Sequence, residues 1–128
     1  MITETVYGKQ AVRACLAAGK RQIYRLRALV DSRDVEDILR LADRTGVPVE
    51  RVSKDALNRL SANGAHQGVL LEAAPVPRVS LEAWLDGLRA PRQVAVALDG
   101  IEDPRNFGAI IRSAAAFGAA GVLFTERR

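Results

Sequence analysis

A continuous apolar run over residues 94–98, ended by Asp99, is the feature that most constrains the fold of this chain. A strand that is apolar at every position is typical of a parallel sheet, in which both faces of the strand are buried. A helical pattern follows from about Phe107 to Phe117, and a second apolar strand covers 121–125. The sequence therefore predicts a β-α-β unit. Two strands are too few to complete a parallel sheet, so we expect only its first part.

Helix and strand patterns also alternate through the first 75 of the 128 residues. The predicted helices cover 8–18 and 34–44 and begin again at Ser53, and the predicted strands cover 23–30, 47–52 and 68–74. In the first helix, the stripe predicted to face the core consists of Ala11, Ala14, Cys15 and Ala18. Asp34 is predicted to cap the second helix. This alternation favours a small layered α/β domain.

Two prolines, Pro75 and Pro77, mark the clearest boundary, because a pair so spaced continues neither a helix nor a central strand. Ser80 is predicted to cap a short helix in which Trp84 packs into the core. We therefore predict three parts: a domain over 1–74, a linker with a short helix over 75–92, and the start of a second domain over 93–128.

Basic residues concentrate near the N-terminus of this chain, whose net charge is +4. Residues 1–30 contain six basic side chains and one acidic side chain, Glu4. Such a face favours a polyanionic partner, although a solvated surface gives the same pattern. With one histidine and one cysteine, a zinc site is not expected. No apolar run is long enough to span a membrane and no signal peptide is evident, so we expect a cytoplasmic protein.

The segment 99–114 follows the carboxyl end of the predicted strand, where open α/β sheets place ligand sites. Asn106 is predicted to cap the helix, and Arg112 lies about 140° round it from Phe107 and can face a cleft. An arginine beside a helix N-terminus suits a phosphate. Two alternatives stay open: a surface ion pair with one of the nearby acids, and a magnesium site for phosphoryl transfer that uses Asp99 and Asp103.

The stretch DGIEDPRNFGAIIRSAAAFG, residues 99–118, closely resembles the first signature motif of the SpoU/TrmH RNA 2′-O-methyltransferases. Residues 7–12 resemble the opening of members that carry an N-terminal RNA-binding extension, and residues 64–69 resemble the loop before the last strand of that extension. The resemblance implies a ribosomal-protein-like α/β RNA-binding domain over 1–74. It implies the first β-α-β part of a knotted (SPOUT) methyltransferase domain over 93–128.

The same resemblance implies S-adenosylmethionine as cofactor, no metal, a homodimer, and a guanosine of large-subunit ribosomal RNA as substrate. Arg112 matches the catalytic arginine of the motif and Asn106 its asparagine. Arg112, together with an RNA phosphate, would orient and activate the ribose 2′-OH, which is a poor nucleophile. The later motifs of the family have no counterpart in this sequence. We therefore expect no cofactor-binding residues in it, and no activity from these 128 residues alone.

Candidate RNA contacts come from the basic N-terminal face and from the loop at 64–69. They are Lys9, Arg13, Arg25, His66 and Gln67. For His66 we favour a structural role in a turn, with an RNA contact as the alternative. For the whole chain, the alternative to a methyltransferase is an RNA-binding module without catalysis.

Overall fold

The computed structural model describes residues 2–125, which divide into two compact units. The first unit ends at Pro77 and the second begins at Arg78. The finer division into 1–74, 75–92 and 93–128 stays a prediction.

The first unit contains a four-stranded sheet with the strand order β1-β4-β2-β3. Its elements are β1 (Glu4–Tyr7), α1 (Lys9–Ala18), β2 (Ile23–Leu29), a 3₁₀ turn (Arg33–Val35), α2 (Glu36–Arg44), β3 (Val49–Val52), α3 (Lys54–Leu60) and β4 (Val69–Ala73). Only β2 and β3 are parallel, and β4 runs antiparallel to both β1 and β2. The predicted layered α/β domain is confirmed, whereas β1 was not predicted.

Helices α1 and α2 cover one face of this sheet. Fully buried residues of β2 and β4 meet those of the helices, and the core they form comprises Val12, Leu16, Leu26, Ala28, Val35, Ile38, Ala42, Val69 and Leu71. The four residues whose spacing predicted this helix do not all face the core: Cys15 packs against it, but Ala11, Ala14 and Ala18 are exposed, and Val12 and Leu16 are buried instead. Turning the larger side chains inward removes more apolar surface from water.

Glycines bound α1 at both ends. Gly8 precedes the helix with φ 91°. Gly19 ends it in the left-handed region with φ 58°, as the sequence predicts.

The prediction that Asp34 caps the second helix was wrong. Asp34 lies inside the 3₁₀ turn, α2 begins only at Glu36, and the Asp34 carboxylate lies 3.8 Å from the Lys9 ammonium.

The second unit contains the predicted β-α-β arrangement. Its elements are α4 (Leu81–Gly87), β5 (Ala95–Leu98), α5 (Pro104–Ala116) and β6 (Gly121–Phe124). Strands β5 and β6 pair in parallel, from Ala95 opposite Gly121 to Leu98 opposite Phe124. Ser80 caps α4 as predicted, since its hydroxyl accepts the backbone N–H of Ala83.

The strand predicted to be buried on both faces is instead open. Val94 is 73% exposed, and along β5 only Val96 and Leu98 are partly covered. In the part of the chain that the structure describes, β5 has one neighbouring strand and α5 covers one face.

Trp84 is partly buried against Gly121, where an added Cβ would meet the indole ring at 3.0 Å. None of the helices within 2–125 is long and apolar enough to cross a membrane.

Candidate functional site

Helix α5 begins with a capped turn directly after the loop that follows β5. The Asp103 carboxylate accepts the backbone N–H of Arg105 at 2.8 Å, and Pro104 occupies the first helical position. The prediction that Asn106 caps this helix was wrong, because the backbone is already helical there. Asp103 has the extended conformation of a cap residue, φ −74° and ψ 119°, and proline suits the position that follows a cap.

We expect Asp103→Ala to lower the free energy of unfolding by about 1 kcal/mol, because the first turn of α5 loses its side-chain acceptor. Asn106→Ala is the matched control, and its side chain makes no cap hydrogen bond. We expect it to change stability by less than about 0.5 kcal/mol. Urea unfolding of both variants measures the difference. An equal loss in the two variants would contradict the assignment of the cap.

Arg112 is exposed on the side of α5 that faces away from its sheet. The covered side carries Phe107, Ile110 and Ala114, and the Phe107 ring packs edge-on against Phe124 with centroids 5.2 Å apart. Within residues 2–125, no ion pair or side-chain hydrogen bond engages the guanidinium of Arg112. The alternative of a surface ion pair with Asp99, Glu102 or Asp103 therefore finds no support. The donors of the Arg112 guanidinium are therefore not used by the described residues.

The loop before α5 contains the acidic residues Asp99, Glu102 and Asp103. Among the described residues, no group of three or more histidine, cysteine, aspartate or glutamate side chains could hold a metal ion. Asp103 already accepts a hydrogen bond as the helix cap. The donor set thus gives the phosphoryl-transfer alternative no support.

The two N-terminal segments that carry the family resemblance meet in space. The Gln67 Oε1 accepts the backbone N–H of Lys9 at 2.9 Å, and the N–H of Gly8 lies 3.4 Å from the Val69 carbonyl oxygen. A Cβ at Gly64 would lie 2.5 Å from the Tyr7 ring, so glycine is needed for this contact. The start of α1 and the loop before β4 therefore form one continuous surface.

Gln67 and His66 have different places in that loop. Gln67 is exposed, has φ 52°, and uses its amide oxygen to satisfy the start of α1. His66 is only 8% exposed, its Nδ1 accepts the N–H of Gly68 at 3.0 Å, and its Nε2 lies 2.9 Å from Oδ1 of Asn58. Since both ring nitrogens are used inside the protein, the structure favours the turn role of His66 over an RNA contact.

The three basic residues of the first unit that the sequence predicts as RNA contacts are each paired with a carboxylate. Lys9 lies 3.8 Å from Asp34, Arg13 contacts Asp37 through two nitrogens, and the Arg25 Nε lies 3.1 Å from Glu72. The hydrogen bond from Arg13 lowers the pKa of Asp37 below its usual value. All three cations are at least 31% exposed, and any anion from solution would have to compete with these carboxylates for them.

Sequence reasoning did not find the charged ladder on the second face of the sheet. Arg25 and Arg27 of β2 lie between Glu50 of β3 and Glu72 of β4, and each arginine contacts both glutamates. Arg27 is 13% exposed. Burial opposes its charge, but the hydrogen bonds and charges of Glu72 and Glu50 outweigh burial and raise its pKa. The available signal was the spacing of Arg25 and Arg27, which places both on one face of a strand.

Two family models match the sequence. Residues 5–79 match the family described as RNA 2′-O ribose methyltransferase substrate binding. Residues 93–128 match the SpoU rRNA Methylase family. The first match covers nearly all of the first unit, and the second match lies within the second unit.

Curated relatives and solved structures are similar to the chain over nearly its whole length. Uncharacterized tRNA/rRNA methyltransferases of Mycobacterium ulcerans and Mycobacterium leprae are 44% and 42% identical to 98% of it. An AdoMet-bound rRNA methyltransferase from Sinorhizobium meliloti aligns with a TM-score of 0.65 and 26% identity, over 98% of this chain and 44% of that one. The SpoU methyltransferase AviRb from Streptomyces viridochromogenes, in complex with AdoMet, aligns over 95% of this chain and 44% of its own, with a TM-score of 0.67 and 25% identity. The chain spans 42% of the length of each of these two curated relatives.

Proposed function

Because the chain belongs to the SpoU family of RNA methyltransferases, we propose that its protein methylates a ribose 2′-OH in RNA with S-adenosylmethionine as the methyl donor. In this proposal the first unit binds the RNA substrate and α5 supplies the catalytic arginine. Two similar solved structures that hold AdoMet support the choice of cofactor.

The exposed guanidinium of Arg112 is the observation that carries the proposal. It lies on the helix that follows the carboxyl end of β5, and no other described residue uses its charge. A ribose 2′-OH must pass its proton to a water molecule as its oxygen attacks a methyl carbon. Arg112, bound to a phosphate beside that ribose, would hold the hydroxyl in line and stabilise the negative charge that develops on its oxygen.

The described residues do not by themselves offer a fitting cofactor site. An open groove of about 480 Å³ lies along α5 and is lined by apolar side chains apart from Ser113. The charged amino-acid group and adenine ring of S-adenosylmethionine need several polar partners, which this groove lacks. When bound, the cofactor supplies an electrophilic methyl group, and the contribution of this chain is to position the acceptor ribose.

Finer parts of the proposal rest on the family resemblance. They are a guanosine of large-subunit ribosomal RNA as the substrate, a homodimeric enzyme, a cytoplasmic location, and Asn106 as a second site residue. The Sinorhizobium meliloti neighbour, an rRNA methyltransferase by its description, supports ribosomal RNA as the substrate, and the curated relatives are named tRNA/rRNA methyltransferases. Lys9, Arg13, Arg25 and Gln67 remain proposed RNA contacts.

An RNA-binding module without catalysis is the second candidate. It is favoured by the first unit alone, which has its own core and its own match to a substrate-binding family. The two candidates share that unit and differ in whether a methyl group is transferred.

The protein expressed from its complete reading frame should transfer a radiolabelled methyl group from S-adenosylmethionine to ribosomal RNA. The product should resist alkaline hydrolysis at one phosphodiester, because the neighbouring 2′-oxygen is blocked. RNA with a 2′-deoxynucleotide at that position is the control and should accept no label. The chain of 128 residues should be inactive in the same assay. RNA binding without any transfer by the complete protein would leave the binding module as the better account.

A further inference from the structure

Arg105 and Arg112 lie on one face of α5. Seven residues separate them, which places them about 20° apart around the helix and about 10.5 Å apart along its axis. Both are exposed, and they point away from the covered side on which Phe107 packs against Phe124. In the described part of the chain, neither guanidinium has an ion pair or a side-chain hydrogen bond.

No large side chain projects from α5 between the two arginines. Gly108 and Ala109 lie there, and both are exposed. A Cβ added at Gly108 would meet nothing within 4 Å, so packing inside the protein does not require glycine at this position. The absent side chain leaves room for a ligand backbone to approach α5 between the two guanidinium groups.

The guanidinium of Arg105 is not paired with a carboxylate of the described residues, since the Asp103 carboxylate accepts the backbone N–H of Arg105 instead. Arg105 lies in the first turn of α5, where the helix dipole is positive, and that turn contains no acidic residue. Lys9, Arg13 and Arg25 in the first unit are compensated by carboxylates, whereas Arg105 is not. A phosphate bound beside Arg105 would supply the partner that its guanidinium lacks among the described residues.

We propose that Arg105 binds a second phosphate of the RNA strand whose ribose lies at Arg112. This inference rests on the proposed function and makes Arg105 a positioning residue. The two arginines are attached about 10.5 Å apart along the helix axis, a separation that phosphates a few nucleotides apart on one strand can span. Two fixed points on one strand would hold the acceptor ribose in register, and the fork of donors on each guanidinium suits a phosphate.

The test compares Arg105→Ala and Arg105→Lys with Arg92→Ala in the protein from its complete reading frame. Arg92 is an exposed arginine of the same unit that precedes β5, at the opposite end of the strand from the loop before α5. Binding of ribosomal RNA is measured across a series of salt concentrations, together with kcat and KM for methyl transfer.

Arg105→Ala should raise KM about tenfold, leave kcat within about threefold, and reduce the slope of log K against log salt by about 0.7–0.9, the loss expected for one phosphate contact. Arg105→Lys should keep the parent slope, and Arg92→Ala should match the parent in every measurement. A parent slope in Arg105→Ala, or an equal loss in Arg92→Ala, would overturn the proposal.

Folding does not confound this comparison. The backbone N–H of residue 105 is still present in the variants, so the hydrogen bond to Asp103 is kept. The proposed function and the role of Arg105 can be refuted separately. If the parent transfers no methyl group but Arg105→Ala still loses one phosphate contact, the proposed function is wrong and the role of Arg105 stands. An active parent with an unchanged slope in Arg105→Ala refutes the role of Arg105 alone.

Discussion

Arg112→Ala should lower kcat for methyl transfer by at least about 100-fold, since removal of one group that stabilises developing charge in a transition state costs about 10²–10³ in rate. KM should change much less, because the rest of the RNA surface is intact. Arg112 is exposed and makes no ion pair or side-chain hydrogen bond with another described residue, so the variant should fold as the parent does. Single-turnover methyl transfer, with RNA binding measured in parallel, separates the two effects.

Two further variants make this expectation specific. Arg112→Lys keeps the charge but loses the planar fork of donors, and we expect it to recover only part of the rate. Ile111→Ala changes the neighbouring residue, which is 39% exposed, and should keep kcat within about threefold. Retention of kcat within threefold in Arg112→Ala would refute the catalytic role, whatever the behaviour of Arg105.

Leu71→Ala should lower the free energy of unfolding of the first unit by about 3–5 kcal/mol. Leu71 is fully buried in β4, opposite Val6 of β1 and Leu26 of β2, beneath the helices. Truncation removes the transfer free energy of its methyl groups and leaves a cavity that packed neighbours do not fill. Urea unfolding, followed by circular dichroism, measures the loss.

Leu60→Ala is the matched control for that measurement. It makes the same chemical change in the same unit, at the end of α3, where the side chain is 42% exposed. We expect a loss below about 1 kcal/mol, since less apolar surface is removed from burial. Similar losses in the two variants would mean that Leu71 does not lie in the core.

Local signals in the sequence predicted most of the helices and strands, because periodicity, caps and prolines act within a few residues. Ser53, Ser80 and Gly19 end or begin helices as predicted. Strand β1 was not predicted because its four residues are too few for a clear alternation of apolar and polar side chains. It is stabilised mainly by pairing with β4, which lies more than 60 residues away in the sequence. The strand directions escaped for the same reason.

The candidate site was predicted in part. The exposed position of Arg112 follows from helical spacing and is found in the structure. The cap was assigned to Asn106 because the start of α5 was placed too late, although Asp103 followed by Pro104 is itself a strong start signal. The partners of Arg13 and Arg25 come from other elements of the fold, so sequence patterns did not reveal them.

The carboxylates beside Lys9, Arg13 and Arg25 have a consequence for how the protein would select among cellular RNAs. A bare cation attracts every polyanion, and most RNA in a cell is not substrate. A cation already held by Asp37 or Glu72 releases fewer counterions and offers a random strand little gain. An RNA gains binding free energy only if its shape places several phosphates where they can replace these carboxylates. These ion pairs would shorten the residence time on RNAs that are not substrates, and so favour selectivity over high affinity.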